Sequence, residues 1–278
     1  MIDISNLQFR YSKKRLLFKD LCLNLEAGHI YGLLGKNGAG KTTLLKLIGG
    51  MLFPLKGDCK IVGFTPQKRE PNFLDDIFYI PEDIYVSDLK VRDFVRSNSP
   101  FYPHFDLGNF LNYIKEFEIG FDEKLTSLSF GQKKKAIIAF GLATNCSILI
   151  LDEPTNGLDI PSKSQFRKIV ASVATEDRCV IISTHQVRDL DNLIDSVIIL
   201  DDGEIALSQP VDAITDKLVF KTVPLELAPK AIYGEPSLKG FTGVFYNENG
   251  ESSKLDMEIL FNSVLAQKSL IQKVFTNK

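Results

Sequence analysis

The stretch HIYGLLGKNGAGKTT (29–43) constrains the fold of this chain more than any other part of it. Residues 29–34 are a continuous apolar run, which is typical of a strand in a parallel sheet with both faces buried. The run leads into GKNGAGKT (35–42), which fits the phosphate-loop pattern G-x-x-x-x-G-K-[ST]. Leucine and isoleucine then recur at helical spacing until Gly49 and Gly50 end the helix. The stretch therefore predicts a strand, a phosphate loop and a helix in that order.

The residue types of this loop suit an anionic ligand. Its glycines allow successive backbone N–H groups to converge on phosphate oxygens, and the positive end of the following helix points at the same anion. Lys41 adds a charge for the β- and γ-phosphates, and the Thr42 hydroxyl can bind Mg²⁺. A glycine-rich turn with a chance lysine is the alternative, and the strand-to-helix context argues against it. The residues predicted to contact nucleotide here are Gly35, Lys36, Asn37, Gly38, Ala39, Gly40, Lys41, Thr42 and Thr43.

A second apolar strand ends in two carboxylates. ILIL (148–151) is followed by Asp152 and Glu153. Beside the phosphate loop, Asp152 can hold Mg²⁺ through water and Glu153 can polarise the water that attacks the γ-phosphate. Alone, the stretch is better interpreted as a strand that ends in a solvated acidic turn. Its partnership with the phosphate loop favours the catalytic interpretation.

The remaining apolar runs predict an α/β fold. We expect a P-loop core with a mostly parallel sheet, an N-terminal antiparallel β subdomain, a helical insertion at about 87–130 and a small C-terminal α+β appendage. The predicted domains are 1–207, which binds ATP, and 208–278. The expected strands near the N-terminus lie at 2–11 and 21–25, and those of the core lie at 29–34, 148–151, 180–183 and 197–200.

The predicted helices are less regular. In the insertion, Ser87 is the expected N-cap of a helix that carries Val91 and Val95, and a second helix carries Phe110 and Ile114. Further helices are expected near 161–174, 186–194 and 257–274. A hairpin is expected within 240–255, around the turn Asn-Glu-Asn-Gly.

Composition excludes several classes of protein. The 278 residues are 44% hydrophobic and 24% charged, which is typical of a soluble globular chain. The net charge of −2 gives no support to nucleic-acid binding. The four cysteines lie far apart without a CxxC pair, so we expect reduced thiols. The N-terminus lacks the pattern of a signal peptide, and no apolar stretch approaches the roughly 20 residues that span a bilayer.

Several motifs occur in a fixed order. Tyr11 and the phosphate loop are followed by LSFGQ (128–132), LILDEP (149–154), NGLD (156–159) and STH (183–185). With this order, residues 1–207 resemble the nucleotide-binding subunit of an ATP-binding cassette (ABC) transporter. LSFGQ about twenty residues before LILDEP is more specific than the phosphate loop, which many ATPases share.

The resemblance implies roles for further residues. Tyr11 would stack on adenine, although it could instead be a half-buried strand residue. His185 would hold the water and Glu153 in line with the γ-phosphate, and Asp159 would help to align the water from the dimer interface. The LSFGQ residues that would face the ATP of a second protomer are Ser129, Gly131 and Gln132. Two Mg-ATP would then join a head-to-tail dimer of this chain, or of this chain with a paralogue.

Three positions depart from the usual pattern of that family. In YIPED (79–83), Glu82 stands where many members have glutamine, and its carboxylate could still be an oxygen ligand or water contact near Mg²⁺. Glutamate after proline is similar to subunits of small bacterial exporters. Phe130 replaces a glycine, and Lys135 replaces an arginine. We expect the LSFGQ site to work despite Phe130.

The sequence thus predicts an ATPase that drives export through separate transmembrane permease subunits, with ATP and Mg²⁺ as cofactors. It would be cytoplasmic and held at the inner face of the membrane by those subunits. The aromatic residues of SPFYPHF (99–105) would either contact a permease or pack within the insertion. The alternatives are a cassette ATPase that acts on DNA or ribosomes, and a module that holds ATP without turnover. Intact Lys41, Asp152, Glu153 and His185 argue against the last.

Overall fold

The computed structural model describes residues 1–13 and 15–276. In this part of the chain the strands are β1 (Ile2–Phe9), β2 (Phe18–Leu25), β3 (His29–Leu34), β4 (Lys56–Ile61), β5 (Ile77–Ile80), β6 (Ile148–Asp152), β7 (Cys179–Thr184), β8 (Ser196–Asp201), β9 (Glu204–Pro210), β10 (Leu218–Val223), β11 (Tyr233–Ser237) and β12 (Gly240–Tyr246). The α-helices are α1 (Lys41–Ile48), α2 (Pro71–Leu74), α3 (Val91–Asn98), α4 (Leu107–Glu116), α5 (Phe130–Ala143), α6 (Ile160–Ser172), α7 (Val211–Lys217), α8 (Met257–Ala266) and α9 (Lys268–Thr276).

A six-stranded sheet forms the centre of the molecule, in the order β5-β6-β7-β3-β8-β9. The first five strands are parallel, and β9 is antiparallel to β8. Every residue of β6 and β7 is buried, as a parallel sheet covered on both faces requires. The predicted α/β core with a mostly parallel sheet is confirmed.

The N-terminal strands make a separate antiparallel sheet in the order β2-β1-β4. Alternate residues of β2, from Leu21 to Leu25, are buried against the core, while those between them face solvent. The same apolar cluster includes residues of α1 and of the central sheet. This layer therefore covers one side of the phosphate-loop helix, and the predicted antiparallel β subdomain is confirmed.

The helical insertion is held together by aromatic side chains. Phe140 on α5 lies within 6 Å of the ring centroids of Phe78, Phe94, Tyr102 and Phe105. Tyr102 and Phe105 of the SPFYPHF segment therefore pack within the insertion, which was one of the two expected outcomes. Phe101 of the same segment remains exposed.

The expected start of the first insertion helix at Ser87 is wrong, because Lys90 is the N-cap of α3. Residues 88–90 instead contact the segment before α5, where Lys90 pairs with Lys124 in an isolated antiparallel bridge. The Asp88 carboxylate accepts hydrogen bonds from Thr126 and Lys124, and Leu89 O accepts one from Leu125 N. These tertiary contacts keep residues 88–90 outside the helix.

The helix expected near 186–194 is only a short 3₁₀ turn, Val187–Leu190. Thr184 Oγ1 accepts a hydrogen bond from Gln186 N, and Asp189 is held by side chains of neighbouring elements. Asn192 adopts a left-handed φ of +60°, which ends any helical continuation. Contacts that the periodicity does not reveal thus override the helical pattern.

In the C-terminal region, strands β10, β12 and β11 form an antiparallel sheet in that order. The hairpin joins β11 to β12 through Leu238 and Lys239, so the expected turn at Asn-Glu-Asn-Gly is wrong. The Asn247 side chain bonds Glu251 N, Glu251 O and Thr215 O, which fixes the Asn-Gly stretch as a loop instead. The helix expected at 257–274 is divided into α8 and α9 at Gln267.

The predicted domain boundary at residue 207 falls inside strand β9. The central sheet therefore extends past this boundary, to Pro210. Side chains of α8, including Leu260 and Val264, join the apolar cluster of the core. The division into domains 1–207 and 208–278 stays a prediction. The four cysteines are free thiols, and among the described residues no helix is long and apolar enough to cross a membrane.

The aromatic cluster gives a test of this packing. Phe140→Ala should lower the free energy of unfolding by about 3–5 kcal/mol, because it removes a fully buried ring and leaves a cavity. Phe101→Ala, at an exposed ring of the same insertion, should change it by less than about 0.5 kcal/mol. Urea titrations monitored by circular dichroism measure both values. Equal losses for the two variants would contradict the described packing.

Candidate nucleotide-binding site

The phosphate loop lies between β3 and α1. Gly38 and Gly40 have φ of +81° and +110°, a region that side chains disfavour. A Cβ on Gly40 would also lie 2.9 Å from the ring of Phe18. Lys41 begins α1 and folds back over the loop, where its Nζ donates to Gly35 O at 2.8 Å. The loop is thus a tight turn with an ammonium group at its centre.

Asp152 is the last residue of β6, and its carboxylate is almost fully buried. Ser183 Oγ donates to Asp152 Oδ1, and Tyr79 OH donates to Asp152 Oδ2 at 3.1 Å. Burial and the adjacent Asp152 carboxylate raise the pKa of Tyr79, so its hydroxyl keeps the proton that it donates. Neighbouring strands therefore stabilise and orient this buried charge.

Glu153 follows in the left-handed conformation, with a φ of +47°. Its N–H donates to Ser183 Oγ at 3.1 Å, and its carbonyl accepts from Lys134 Nζ at 2.7 Å. A non-glycine residue in this region is strained and persists where its surroundings hold it. The turn after β6 therefore directs the Glu153 side chain away from the strand direction.

Three groups surround the Glu153 carboxylate, which is 5% exposed. His185 Nδ1 lies 2.9 Å from Oε1, Thr184 Oγ1 donates to Oε2 at 3.3 Å, and Lys41 Nζ lies 4.0 Å from Oε1. Burial lowers the pKa of Lys41, while the carboxylates of Glu153 and Asp152 oppose that effect. The arrangement can hold a carboxylate ready to accept a hydrogen bond from a water molecule beside a cationic anion-binding group.

A cavity of about 440 Å³ opens beside this group. Glu82 lies on its wall, where its Oε1 accepts from Asn156 Nδ2 at 2.9 Å. Tyr11 stands at the mouth with its side chain largely exposed, and its hydroxyl bonds Thr43 Oγ1 at 2.8 Å. Its ring packs edge-on against Phe9. The cavity is lined by Tyr11, Leu17, Asn37, Gly38, Gly40, Lys41, Thr42, Thr43, Glu82 and Glu153.

A second cavity of about 440 Å³ lies on the other side of Tyr11. Lys36 and Ala39 line it together with Arg15 and Leu17. The two cavities share Tyr11, Leu17, Asn37 and Gly38. The predicted residues of the loop, both carboxylates, Tyr11 and His185 are therefore brought together in one region, which could hold the phosphates at Lys41 and a base near Tyr11.

LSFGQ lies at the start of α5 and lines neither cavity. Ser129 is the N-cap, and a capping box joins it to Gln132: Gln132 N donates to Ser129 Oγ at 3.3 Å, and Ser129 N donates to Gln132 Oε1 at 3.0 Å. The N–H groups of Phe130 and Gly131 have no partner among the described residues. These two donors point outward from the helix N-terminus, as an external anion would require.

Asp159 also lies outside the cavities, as the N-cap of α6. Its Oδ1 accepts from Ser162 N at 2.9 Å, and the hydrogen bonding from Ser162 lowers the pKa of Asp159. Lys135 donates to Ser162 Oγ at 3.3 Å, and its Nζ lies over the ring of Phe117. Lys135 thus joins the start of α6 to the insertion.

Sequence reasoning missed Lys134, Ser183, Tyr79 and Asn156 as parts of this site. Lys134 belongs to a run of three lysines, which usually indicates a solvated surface. Yet Lys134 shares a helix face with Ile138 and Gly141, four and seven residues further on, and that spacing is the signal that points to burial.

The phosphate loop lies between a strand and a helix, and a buried aspartate ends a neighbouring strand beside it. This arrangement defines a P-loop nucleoside triphosphatase. Comparison with known proteins narrows this class. A family model described as ABC transporter matches residues 18–156. Because that match covers half of the chain, the chain belongs to the ABC transporter family, as an ATP-binding subunit with ATPase activity.

Individual relatives are distant. The ABC transporter ATP-binding protein YtrB of Bacillus subtilis is 28% identical over 221 residues, which cover 79% of this chain and 75% of the relative. The Nod factor export ATP-binding protein I of Burkholderia lata is 29% identical over 209 residues, covering 73% and 68%. The dimeric structure of a post-hydrolysis state of the ATP-binding cassette MJ0796 bound to ADP and Pi has a TM-score of 0.66 at 22% identity, over 76% of this chain and 98% of that one. That likeness confirms the fold.

The capping box at Ser129 has a measurable consequence for stability. Ser129→Ala should lower the free energy of unfolding by about 0.5–2 kcal/mol, because the N-cap acceptor for Gln132 N is lost. Ser129→Asn should lose less, since asparagine also caps helices well. Denaturant titration of the nucleotide-free protein measures both. A loss for the asparagine variant as large as for the alanine variant would show that the cap is not what Ser129 provides.

Proposed function

We propose that this chain binds Mg-ATP in the two joined cavities, dimerises head to tail around two nucleotides, and drives export through separate transmembrane subunits. The observation that carries the proposal is the position of the buried Glu153 carboxylate. Its Oε1 lies 2.9 Å from His185 Nδ1 and 4.0 Å from Lys41 Nζ. A base held beside a phosphate-binding cation is the arrangement that ATP hydrolysis needs.

The residues of the loop fit the triphosphate. The backbone of residues 35–43 would cradle the phosphates with N–H groups, and Lys41 would exchange its contact with Gly35 O for phosphate oxygens. Tyr11 would offer its exposed ring to adenine and keep its hydroxyl on Thr43. The volume of the cavities beside the loop suits a ligand of this size.

The oxygen donors fit Mg²⁺ bound with the nucleotide. The described residues contain no group of three or more His, Cys, Asp or Glu side chains that would hold a metal unaided. Mg²⁺ is usually held by one or two side chains together with substrate phosphates and water. A nucleotide-bound Mg²⁺ therefore does not require such a group of side chains. The proposed contacts are Thr42 directly, Asp152 through water, and Glu82. Bound Mg²⁺ would neutralise charge on the β- and γ-phosphates.

In the hydrolytic step, the Glu153 carboxylate would orient and polarise the attacking water. His185 would keep Glu153 in place through its ring N–H, and Asp159 would align the water from the dimer interface. Ser129, Gly131 and Gln132 would meet the nucleotide of the partner protomer. The outward N–H groups at the start of α5 support this arrangement, since they do not reach the cavities of their own chain.

Export is supported by the name of one relative and by a residue of this chain. The Burkholderia lata relative is named for Nod factor export, and Glu82 follows Pro81 as in small exporters. The permease partners would place this chain at the inner face of the membrane, and the exposed Phe101 and Tyr85 offer contact area to them. Nucleic acid is not an expected partner. No feature of the site favours the alternative of a cassette ATPase that acts on DNA or ribosomes.

Glu153→Gln should lower kcat for ATP hydrolysis about 100-fold or more and accumulate an ATP-bound dimer, because binding remains while the base is lost. Light scattering at millimolar ATP measures the dimer, and phosphate release measures kcat. Adding Lys41→Ala to Glu153→Gln removes the phosphate-binding charge and should return the protein to monomer. Adding Ser129→Arg should also prevent the dimer while ATP still binds. A monomeric Glu153→Gln protein that binds ATP would contradict the proposed sandwich.

The transport role has its own test. A tagged chain, expressed in its native cells and purified from detergent-solubilised membranes with ATP, should bring down integral membrane proteins in stoichiometric amount. Those proteins are identified by mass spectrometry. A Glu153→Gln chain should retain the same partners, because docking does not require hydrolysis. Recovery of ribosomes or DNA in place of membrane proteins would contradict the transport proposal and favour the alternative.

A further inference from the structure

Lys134 is a buried cation between the signature motif and the catalytic turn. Its side chain is 0% exposed, and it lies in the second turn of α5, the helix that LSFGQ begins. Its Nζ donates to the carbonyls of Glu153 at 2.7 Å and of Asn156 at 3.1 Å. Both acceptors belong to the turn that follows β6. One ammonium group thus joins the two parts of the site that would act on different nucleotides of a dimer.

A buried ammonium needs an opposite charge nearby, since hydrogen bonds to carbonyls do not neutralise it. Asn156 supplies the link to one. Its carbonyl accepts from Lys134, while its Nδ2 donates to Glu82 Oε1 at 2.9 Å. Burial lowers the pKa of Lys134, and Glu82 gives the largest opposing effect of the surrounding carboxylates. Asn156 therefore joins the Lys134 ammonium group to the Glu82 carboxylate.

Phe130 covers the other side of the ammonium group. Lys134 Nζ lies 5.5 Å from the centroid of the Phe130 ring, within the range of a cation–π contact. The ring also packs on the catalytic turn, because a Cβ added to Gly157 would lie 2.8 Å from it. Phe130 thus contacts both the cation and the catalytic turn.

We propose that Lys134 is a positioning residue for ATP hydrolysis. Its ammonium group holds the left-handed backbone of Glu153, with Glu82 as its counter-charge and Phe130 as its cover. The two unusual residues of this chain, Glu82 and Phe130, are then parts of one unit built around the buried lysine. The inference rests on the proposed role of Glu153 and adds the charge pair that keeps its turn in place.

A charge-neutralising cycle tests the proposal. Lys134→Gln keeps an N–H donor for the carbonyls but leaves Glu82 without its counter-charge, and Glu82→Gln leaves Lys134 without one. Lys134→Gln should lower kcat about tenfold while KM for ATP changes less than about threefold, because the turn and not the nucleotide contact is disturbed. Glu82→Gln also removes a proposed Mg²⁺ contact, so the charge pair is measured on the nucleotide-free proteins. Each single variant should lower the urea midpoint, and the double variant should recover it toward the wild-type value, since the pair is neutral again.

Lys133→Gln is the matched control. Lys133 is the helical neighbour, and its side chain makes no hydrogen bond to the described residues. Combined with Glu82→Gln it changes the net charge as Lys134→Gln does, yet it should not restore the urea midpoint. Losses of stability that add in the Glu82→Gln, Lys134→Gln protein, or equal rescue by Lys133→Gln, would overturn the proposal. A wild-type protein that fails to hydrolyse ATP would instead remove the proposed function, and the urea cycle would still decide whether the two charges are paired.

Discussion

Parallel pairing of β3, β6 and β7 is the constraint on which the rest of the site depends. The register places Asp152 beside Ser183 and Leu34 beside Thr184, so three strands end in one row. Since the carboxyl ends of parallel strands meet at one edge, the segments that leave them bring Lys41, Glu153 and His185 together. A shift by one residue would point Asp152 to the other face and separate it from Ser183.

The cost of gathering these charges is offset by hydrogen bonds from the same strands. Asp152 is 1% exposed and receives two hydroxyl donors, while the Glu153 carboxylate accepts from a hydroxyl and lies 2.9 Å from His185 Nδ1. Such burial removes water that would weaken electrostatic interactions, so each charge acts more strongly on a ligand than it would in solution. The same burial makes every missing partner costly, which explains why the site extends to groups such as Tyr79 that touch no nucleotide.

Sequence patterns predicted the four inner strands of the central sheet, because burial on both faces leaves a continuous apolar run such as that of β6 or β7. The edge strands β5 and β9 were not predicted. The phosphate loop was also predictable, since its glycines are required by local backbone geometry at Gly38 and Gly40. The three wrong elements fail for another reason. Each of them is fixed by side-chain contacts with segments distant in the chain. They are residues 88–90, the turn after His185 and the loop at Asn247. Periodicity and turn propensity carry no information about such contacts.

Lys134 shows the same limit at the site itself. A lysine run is typical of a solvated face, and only the position of the residue on the apolar side of α5 argues otherwise. Its burial requires a charge partner that the local sequence does not contain, because Glu82 lies some fifty residues earlier. The glutamate and the phenylalanine are two separate departures from a family pattern, and both are linked to one ammonium group, Phe130 by its ring and Glu82 through Asn156. If Lys134 positions Glu153, replacing Glu82 or Phe130 alone by the usual residue would weaken the site instead of improving it.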